Sequence, residues 1–209
     1  MSWEIDAIHS HVSFAVRYLM VSTVRGRFNR MRGQIHIDES QPAHSWVEAE
    51  VDAATVYTQN KQRDAHLRAA DFFEVDTYPA ITFKSTKVKA VSGQEYRVTG
   101  DFTMHGVTKP VTFDVEYGGQ SHMGGPRVGL TATTKINRKD FGLSFGAIVE
   151  AGQVALGEIV TIEIDVEATT QSAPAQNAFM DQSFASAPGT LSRKKGRITS
   201  LSFTLPVLN

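Results

Sequence analysis

The sequence predicts an all-β protein: an extended, eight-stranded antiparallel barrel with one short helix capping an end. Apolar and polar residues alternate with a period of two along most of the first 168 residues. This alternation is typical of antiparallel strands that have one buried side and one side in solvent. The links between the alternating stretches are short, as in "KAVSGQEY" and "FTMHGVTKP", so consecutive strands are expected to pair as a meander. The stretch "NKQRDAHLRAADFF", residues 60–73, interrupts the alternation and is expected to be helical.

The composition limits the classes of function. A chain of 209 residues fits one domain with an appendage, and 41% hydrophobic with 21% charged residues is ordinary for a soluble globular protein. The formal net charge of −1 provides no overall field that would attract a nucleic acid, and we expect no nucleic-acid partner. The absence of cysteine excludes disulfides, thiolate metal sites and a cysteine nucleophile.

The sequence shows no targeting or membrane-spanning segment. The first residues, "MSWEIDAIHS", lack a positively charged region followed by an apolar core. No apolar run approaches the roughly 18 to 20 residues needed to span a bilayer. We therefore expect a cytoplasmic protein without stable membrane insertion.

Four stretches carry the clearest strand pattern: 12–18, 47–53, 111–117 and 162–166. Further strands are expected near 26–37, 80–89, 95–103 and 128–137. A meander of about eight strands usually closes into a barrel, because closure removes exposed strand edges. A two-sheet sandwich is the competing architecture. The apolar faces comprise Val12, Phe14, Val16 and Tyr18; Val47, Ala49, Val51 and Ala53; Val111, Phe113, Val115 and Tyr117; and Ile162, Ile164 and Val166.

Two predicted inward faces carry small residues, and this bears on what fills the lumen. A barrel of this size either fills its interior with side chains or holds one small ligand. Small inward residues favour a ligand, whereas bulky partners such as Phe28, Phe83 and Phe102 favour a filled core. The alternation of sizes alone leaves both open. The two faces are Val47, Ala49, Val51 and Ala53, and Leu130, Ala132, Thr134 and Ile136.

The helix over 60–73 is expected to close one end of the barrel. Asn60 is a suitable N-cap, and Pro79 is expected to open the following strand at its first position, where proline is tolerated. Arg63, Asp64 and His66 would then lie near the rim of the barrel. The competing interpretation is that these charged residues form only salt bridges or caps.

The sequence gives little indication of catalysis or metal binding. His9 and His11 would point to one side of a strand, but with the parity opposite to the apolar residues of 12–16, and no further ligands are identifiable. We therefore expect no metal site. The sequence contains no G-x-S-x-G elbow, phosphate loop, dinucleotide fingerprint or H-E-x-x-H helix. The D-F-G triplet at 140–142 stands without the other kinase motifs. No cofactor is expected.

Several segments together resemble the YceI-like family. These are "WEIDAIHSHVSFAV", "VSTVRGRF", "TQNKQRDAHLRAADFFEVDTYPAITFKS", "GDFTMHGVTKPVTFDV" and "INRKDFGL", which follow in the family's order from Trp3 to Ala168. R-D-x-H-L before F-F-x-x-x-x-Y-P is the most specific part. The resemblance implies a lipocalin-like barrel that binds polyisoprenoids, with an isoprenoid tail in the lumen and the helix as an insertion near one end.

Two positions depart from the family pattern. Tyr18 stands where "VRHL" would place a histidine, and "LGEIV" carries Glu158 where the family more often has Gly-Asp. Many relatives are exported, whereas this chain shows no signal sequence.

The resemblance and the strand parity together predict a non-catalytic carrier or sequestering protein for a polyprenyl chain or an isoprenoid quinone. The alternatives are an enzyme acting on such a lipid, and a structural or interaction barrel with a filled core. A homodimer is compatible with the sequence. We expect Arg63, Asp64 and His66 near the ligand's head group. The residues expected around its tail are Phe14, Val16, Phe28, Val47, Ala49, Val51, Phe83, Phe102, Phe113 and Ala132.

The barrel domain is assigned to 1–168 and a separate C-terminal region to 169–209. Residues 169–192 are rich in Ser, Ala, Gln and Pro, which is typical of a flexible linker. The final segment, "RKKGRITSLSFTLPVLN", combines a basic patch with a short apolar alternation, and we expect it to be disordered.

Overall fold

The computed structural model describes residues 1–19, 21–145 and 156–170, and the backbone of 148–149 and 153–154. The predictions for the linker and tail over 171–209 lie outside these residues. One α-helix, α1, spans Lys61–Arg68 in the described part of the chain. The strands are β1 Ser2–Ile5, β2 His11–Tyr18, β3 Ser22–Phe28, β4 Met31–His36, β5 Trp46–Asp52, β6 Val56–Tyr57, β7 Ala80–Ser92, β8 Glu95–Met104, β9 Val107–Ser121, β10 Arg127–Asn137, β11 Ile148–Val149, β12 Gln153–Val154 and β13 Leu156–Thr169.

The main sheet is a closed antiparallel barrel of eight long strands, three of which are interrupted. β1 pairs with β4, and β2 pairs with β3. β1 and β2 therefore form one interrupted strand of the barrel, which lies beside a second interrupted strand formed by β3 and β4. β5 and β6 pair with β4 and β3 in the same way. β7, β8, β9, β10 and β13 follow in order, and β13 closes the ring by pairing with both β1 and β2. The predicted barrel is confirmed, and the sandwich alternative is wrong.

Strands form at all eight predicted stretches, but one of these stretches is interrupted and there is an additional short strand at the N-terminus. The strand expected over 26–37 is broken at 29–30, where the Asn29 N–H donates to the Thr55 carbonyl and the Arg30 carbonyl accepts from the Asp52 N–H. These bonds take the backbone out of the regular ladder. β1 was not predicted, because four residues are too few for a clear alternation. Its Trp3 and Ile5 are nevertheless buried.

The barrel has two distinct ends. The helix end contains the β2–β3 turn, α1, the β8–β9 turn and the short 3-10 helix Arg138–Phe141. The distal end contains the β4–β5 loop and the β7–β8 and β9–β10 turns. No helix in the described residues is long and apolar enough to cross a membrane.

Helix α1 begins as predicted but ends early. The Asn60 side chain accepts a hydrogen bond from the Arg63 N–H and so caps the first turn. The helix ends at Arg68 rather than at 73, because Ala69 adopts an extended conformation with φ −72° and ψ 171°. Backbone bonds from Phe73 to the Leu67 carbonyl and from Val75 to the Arg68 carbonyl then close a series of turns. Pro79 immediately precedes β7 rather than opening it.

The D-F-G triplet has a structural role. Phe141 is 1% exposed and packs edge-on against Phe102, with ring centroids 5.4 Å apart. Gly142 ends the 3-10 helix with φ +78°, a left-handed conformation that favours glycine. These residues therefore anchor the helix end of the barrel to its core.

Candidate functional site

The barrel encloses a cavity of about 900 Å³, which is the size of a site for a substantial small-molecule ligand. Arg63 and Phe145 line it at the helix end, and Tyr96 and Tyr117 line it at the distal end. Its wall between them is formed almost entirely by apolar side chains. Of the two possibilities that the alternation of side-chain sizes left open, the structure therefore favours an open lumen over a filled one.

Aromatic rings form the wall of this cavity instead of filling it, because glycines on neighbouring strands leave room for them. Phe14 pairs with Gly26, and a Cβ at Gly26 would lie only 2.3 Å from the Phe14 Cζ atom. A Cβ at Gly100 would lie 2.7 Å from the Phe83 Cζ atom. Phe83 also packs edge-on against Phe113, with centroids 5.0 Å apart. The rings of Phe14 and Phe83 thus lie over glycines on adjacent strands and leave the centre of the barrel open.

Every residue predicted to surround an apolar tail lines the cavity. These residues are Phe14, Val16, Phe28, Val47, Ala49, Val51, Phe83, Phe102, Phe113 and Ala132. The predicted apolar faces also include Val12, Val115, Leu130 and Ile164, and these residues line the cavity as well. It could not have identified Phe72, Phe73 and Phe145, because these residues lie in irregular segments where no periodicity applies.

Arg63 lies at the cavity wall and is held by one threonine. Its Nε donates to the Thr58 hydroxyl at 2.7 Å, and its Nη2 donates to the Thr58 carbonyl at 2.8 Å. The guanidinium is half-buried and lines the cavity. Within the described residues these two bonds use two of the five N–H donors of the group, which leaves donor capacity for a ligand.

Asp64 positions Arg63 indirectly, through Thr58. The carboxylate is 5% exposed and accepts hydrogen bonds from both the N–H and the hydroxyl of Thr58. The Thr58 hydroxyl, in turn, accepts from Arg63. Asp64 does not line the cavity, so the geometry favours an orienting role over contact with a ligand.

His66 occupies the cavity wall beside Arg63. Its Nε2 is hydrogen bonded to the Asp71 carboxylate, and its ring stands edge-on to Phe72 and Phe145, at 5.1 and 4.8 Å between centroids. The imidazole is half-buried and lines the cavity. Of the three predicted rim residues, the structure thus brings Arg63 and His66 to the cavity.

Arg138 is a cavity residue that sequence reasoning missed. It is 3% exposed and donates through Nε to Gly157, through Nη1 to Leu143 and through Nη2 to Leu156, in each case to a backbone carbonyl. Burial lowers the pKa of Arg138, and the nearby Glu158 opposes this effect. Within the described residues no carboxylate forms a salt bridge with it. Arg138 belongs to the segment "INRKDFGL", which resembles the YceI-like family but does not by itself indicate that this arginine is buried at a cavity.

The two departures from the family pattern also lie at the helix end. Tyr18 lines the cavity at the end of β2. Glu158 pairs with Lys139, which holds the pKa of the Glu158 carboxyl below its ordinary value.

The distal end has different polar groups. Tyr96, Tyr117, Gln94, Asp38 and Glu39 line the cavity there. Burial raises the pKa of the Tyr117 hydroxyl. The cavity therefore has the arginines Arg63 and Arg138 at the helix end and the carboxylates Asp38 and Glu39 at the distal end.

The two histidines of the H-x-H segment do not converge. His9 lies in the turn between β1 and β2, rather than on a strand as predicted, and its Nδ1 is 2.8 Å from the Asp6 carboxylate. His11 faces outward and its Nε2 is 3.1 Å from Asp165. Glu167 lies 3.8 Å from His9 but is paired with Arg127. These contacts are surface hydrogen bonds and ion pairs.

Comparison with solved structures matches the barrel over most of its length. BcnA of Burkholderia cenocepacia superposes with a TM-score of 0.71 at 24% identity, over 79% of this chain and 99% of that chain. The YCEI protein of Campylobacter jejuni gives 0.63 at 28% identity, over 75% and 90%. A polyisoprenoid binding domain from Saccharophagus degradans gives 0.57 at 17% identity, over 80% and 97%. BcnA and the domain from Saccharophagus degradans are less than 25% identical to this chain, so these two comparisons establish the fold alone.

Sequence comparison gives closer relatives. A UPF0312 protein of Pseudomonas putida is 35% identical over 165 residues, which cover 78% of this chain and 82% of that protein. A UPF0312 protein of Vibrio parahaemolyticus is 39% identical over 135 residues, covering 64% and 71%. The family model for the YceI-like domain matches residues 3–168. The chain therefore belongs to the YceI-like family.

Proposed function

We propose that this protein binds one long isoprenoid lipid, a polyprenyl chain or an isoprenoid quinone, inside the barrel and transports, stores or sequesters it unchanged. The observation that carries the proposal is the cavity of about 900 Å³ with an almost wholly apolar wall. An elongated lumen that is apolar between two polar ends fits a long tail with a polar head.

The energetics favour a long apolar ligand. Each buried methylene contributes about 0.8 kcal/mol before the entropy lost on ordering the chain is subtracted. Phe14, Val47, Ala49, Phe83 and Ala132 are only half-buried although they face the interior. A ligand would bury this remaining apolar surface, so affinity can be high without many polar contacts.

Relatives support the class of ligand. The structure from Saccharophagus degradans is named for polyisoprenoid binding, and it shares this fold at 17% identity. Together with membership of the YceI-like family, that name supports lipid binding over the two alternatives, an enzyme and a filled structural barrel.

The helix end is where the head group of the lipid would lie. Arg63 offers a phosphate or a carbonyl N–H donors that no described residue occupies, and His66 also lines the cavity. Arg138 adds a second, deeply buried positive charge at the same end. A head group that must find donors once it leaves water can find them here.

The experiment is mass spectrometry of organic extracts from protein purified without detergent. A long isoprenoid in about a 1:1 ratio to protein is expected. Incubation of the loaded protein then separates binding from catalysis, because a carrier leaves the extracted lipid chemically unchanged. Protein that carries no isoprenoid, and takes up none when it is offered, would contradict the proposal.

A further inference from the structure

The turn between β2 and β3 has an unusual composition for a hairpin. Tyr18 pairs with Ser22, and the Val21 N–H donates to the Tyr18 carbonyl at 3.2 Å. Tight hairpin turns normally use Gly, Asn or Asp, because some of their positions need positive φ. Here Leu19 adopts φ +49°, a conformation that costs free energy in a leucine.

The turn also exposes its apolar side chains. Val21 is 81% exposed, Tyr18 41% and Leu19 37%. Ile159, 52% exposed, lies on β13 between Leu156 and Val160, which pair with Tyr18 and Val16, where the register shifts. Large apolar side chains exposed near one another at one end of a barrel are candidates for interaction with a protein or a membrane. We call Tyr18, Leu19, Val21 and Ile159 the apolar tip.

The apolar tip is continuous with the interior of the barrel. Tyr18 belongs to both, since it is exposed at the turn and also lines the cavity. Its partner on β13, Leu156, lines the cavity too. The apolar wall of the lumen therefore reaches the surface at this turn.

Basic residues flank the apolar tip. Arg17 and Arg25 lie on the outer face of β2 and β3 and are exposed. Arg27, further along the same face, lies over the Tyr57 ring. The acidic Glu158 near the tip is paired with Lys139. An apolar projection with a basic surround matches the boundary between lipid headgroups and acyl chains in an anionic bilayer.

We propose that the apolar tip docks the protein onto the surface of an anionic lipid bilayer and places the rim of the lumen against it. A membrane fits better than a partner protein, because the exposed residues project from a narrow turn. A stable protein interface would need a surface of about 800 Å² on each partner. Docking goes beyond the proposed function, since it concerns where a lipid would enter and leave the barrel.

The test is co-sedimentation of the full chain with vesicles of phosphatidylcholine, with and without phosphatidylglycerol. A tip variant combines Leu19→Asn, which suits a left-handed turn, with Val21→Asp. Two matched controls, Ile8→Asp and Met123→Asp, change side chains that are 87% and 88% exposed but lie outside the tip. The wild type and both controls should bind the anionic vesicles, and the tip variant should bind at least about tenfold more weakly.

Melting temperature and isoprenoid content complete the experiment. The melting temperature of the tip variant should not fall below that of the wild type, because asparagine adopts the φ of Leu19 more readily than leucine does. Its isoprenoid content at equilibrium should match that of the wild type, because Leu19 and Val21 do not line the cavity. The docking proposal is refuted if the wild type does not co-sediment with anionic vesicles, or if the tip variant and the control variants bind these vesicles equally. Tip-dependent vesicle binding by a protein that never holds isoprenoid would support docking and contradict only the proposed function.

Discussion

Two arginines at the helix end of the cavity are held in different ways. Arg63 is anchored by Thr58 and has further N–H donors that no described residue occupies. Arg138 binds three backbone carbonyls, those of Leu143, Leu156 and Gly157, and so links the end of β10 to the start of β13. The first arrangement suits contact with a ligand. The second primarily holds the end of the barrel together.

Replacing Arg138 should therefore destabilise the fold. Arg138→Met would leave the carbonyls of Leu143, Leu156 and Gly157 without their donor, at a cost of about 3 kcal/mol or more in the free energy of unfolding. Urea denaturation measures this loss. The neighbouring variant Lys139→Met breaks only a half-exposed ion pair and should cost much less. Equally small losses in both variants would show that the buried guanidinium is not structural.

Replacing Arg63 or His66 should affect binding more than stability. Arg63→Ala and His66→Ala are expected to weaken the binding of an isoprenoid with a polar head several-fold, because donors at the cavity wall are lost. A headless hydrocarbon of equal length should bind as before. Fluorescence competition with both ligands measures the difference. Equal losses for both ligands, or a fall in melting temperature alone, would assign the two residues a structural role.

At the scale of the element, helix α1 positions both rim residues. Its start depends on Asn60, whose side chain accepts from the Arg63 N–H. Asn60→Ala removes that cap at a cost of about 1 kcal/mol, which should speed amide hydrogen exchange at Arg63 about fivefold. Asn60→Asp retains the acceptor and serves as the control. Unchanged exchange in Asn60→Ala would mean that tertiary contacts, not the cap, fix the first turn.

The start of α1 could be predicted and its end could not. Asn60 gives a local signal, because the cap bond joins residues three apart. The end depends on distant contacts: Phe73 packs against Phe28 of β3, with centroids 5.6 Å apart. A pattern of alanines after Arg68 favours continued helix, but this contact favours the turn. Tertiary packing thus overrides local propensity.

For the whole molecule, strand parity predicted the apolar wall because every second residue of a barrel strand faces inward. The same rule could not show whether the lumen was open. That depends on where each ring lies, and the Phe14 ring lies over Gly26 on the adjacent strand rather than across the barrel. Arg138 was missed because its partners are backbone carbonyls, which leave no trace in side-chain patterns.

The central claim is that the open lumen holds a long apolar tail. The most direct measurement is the ratio of extracted isoprenoid to protein in wild type, Ala49→Phe, Ala132→Phe and Thr133→Phe. Ala49 and Ala132 line the cavity, while Thr133 is exposed on the outer face of β10. We expect about one lipid per chain in wild type and Thr133→Phe, and at least about tenfold less in the two alanine variants, because the added rings occupy the tail's volume. Equal lipid content in all four folded proteins would contradict the account.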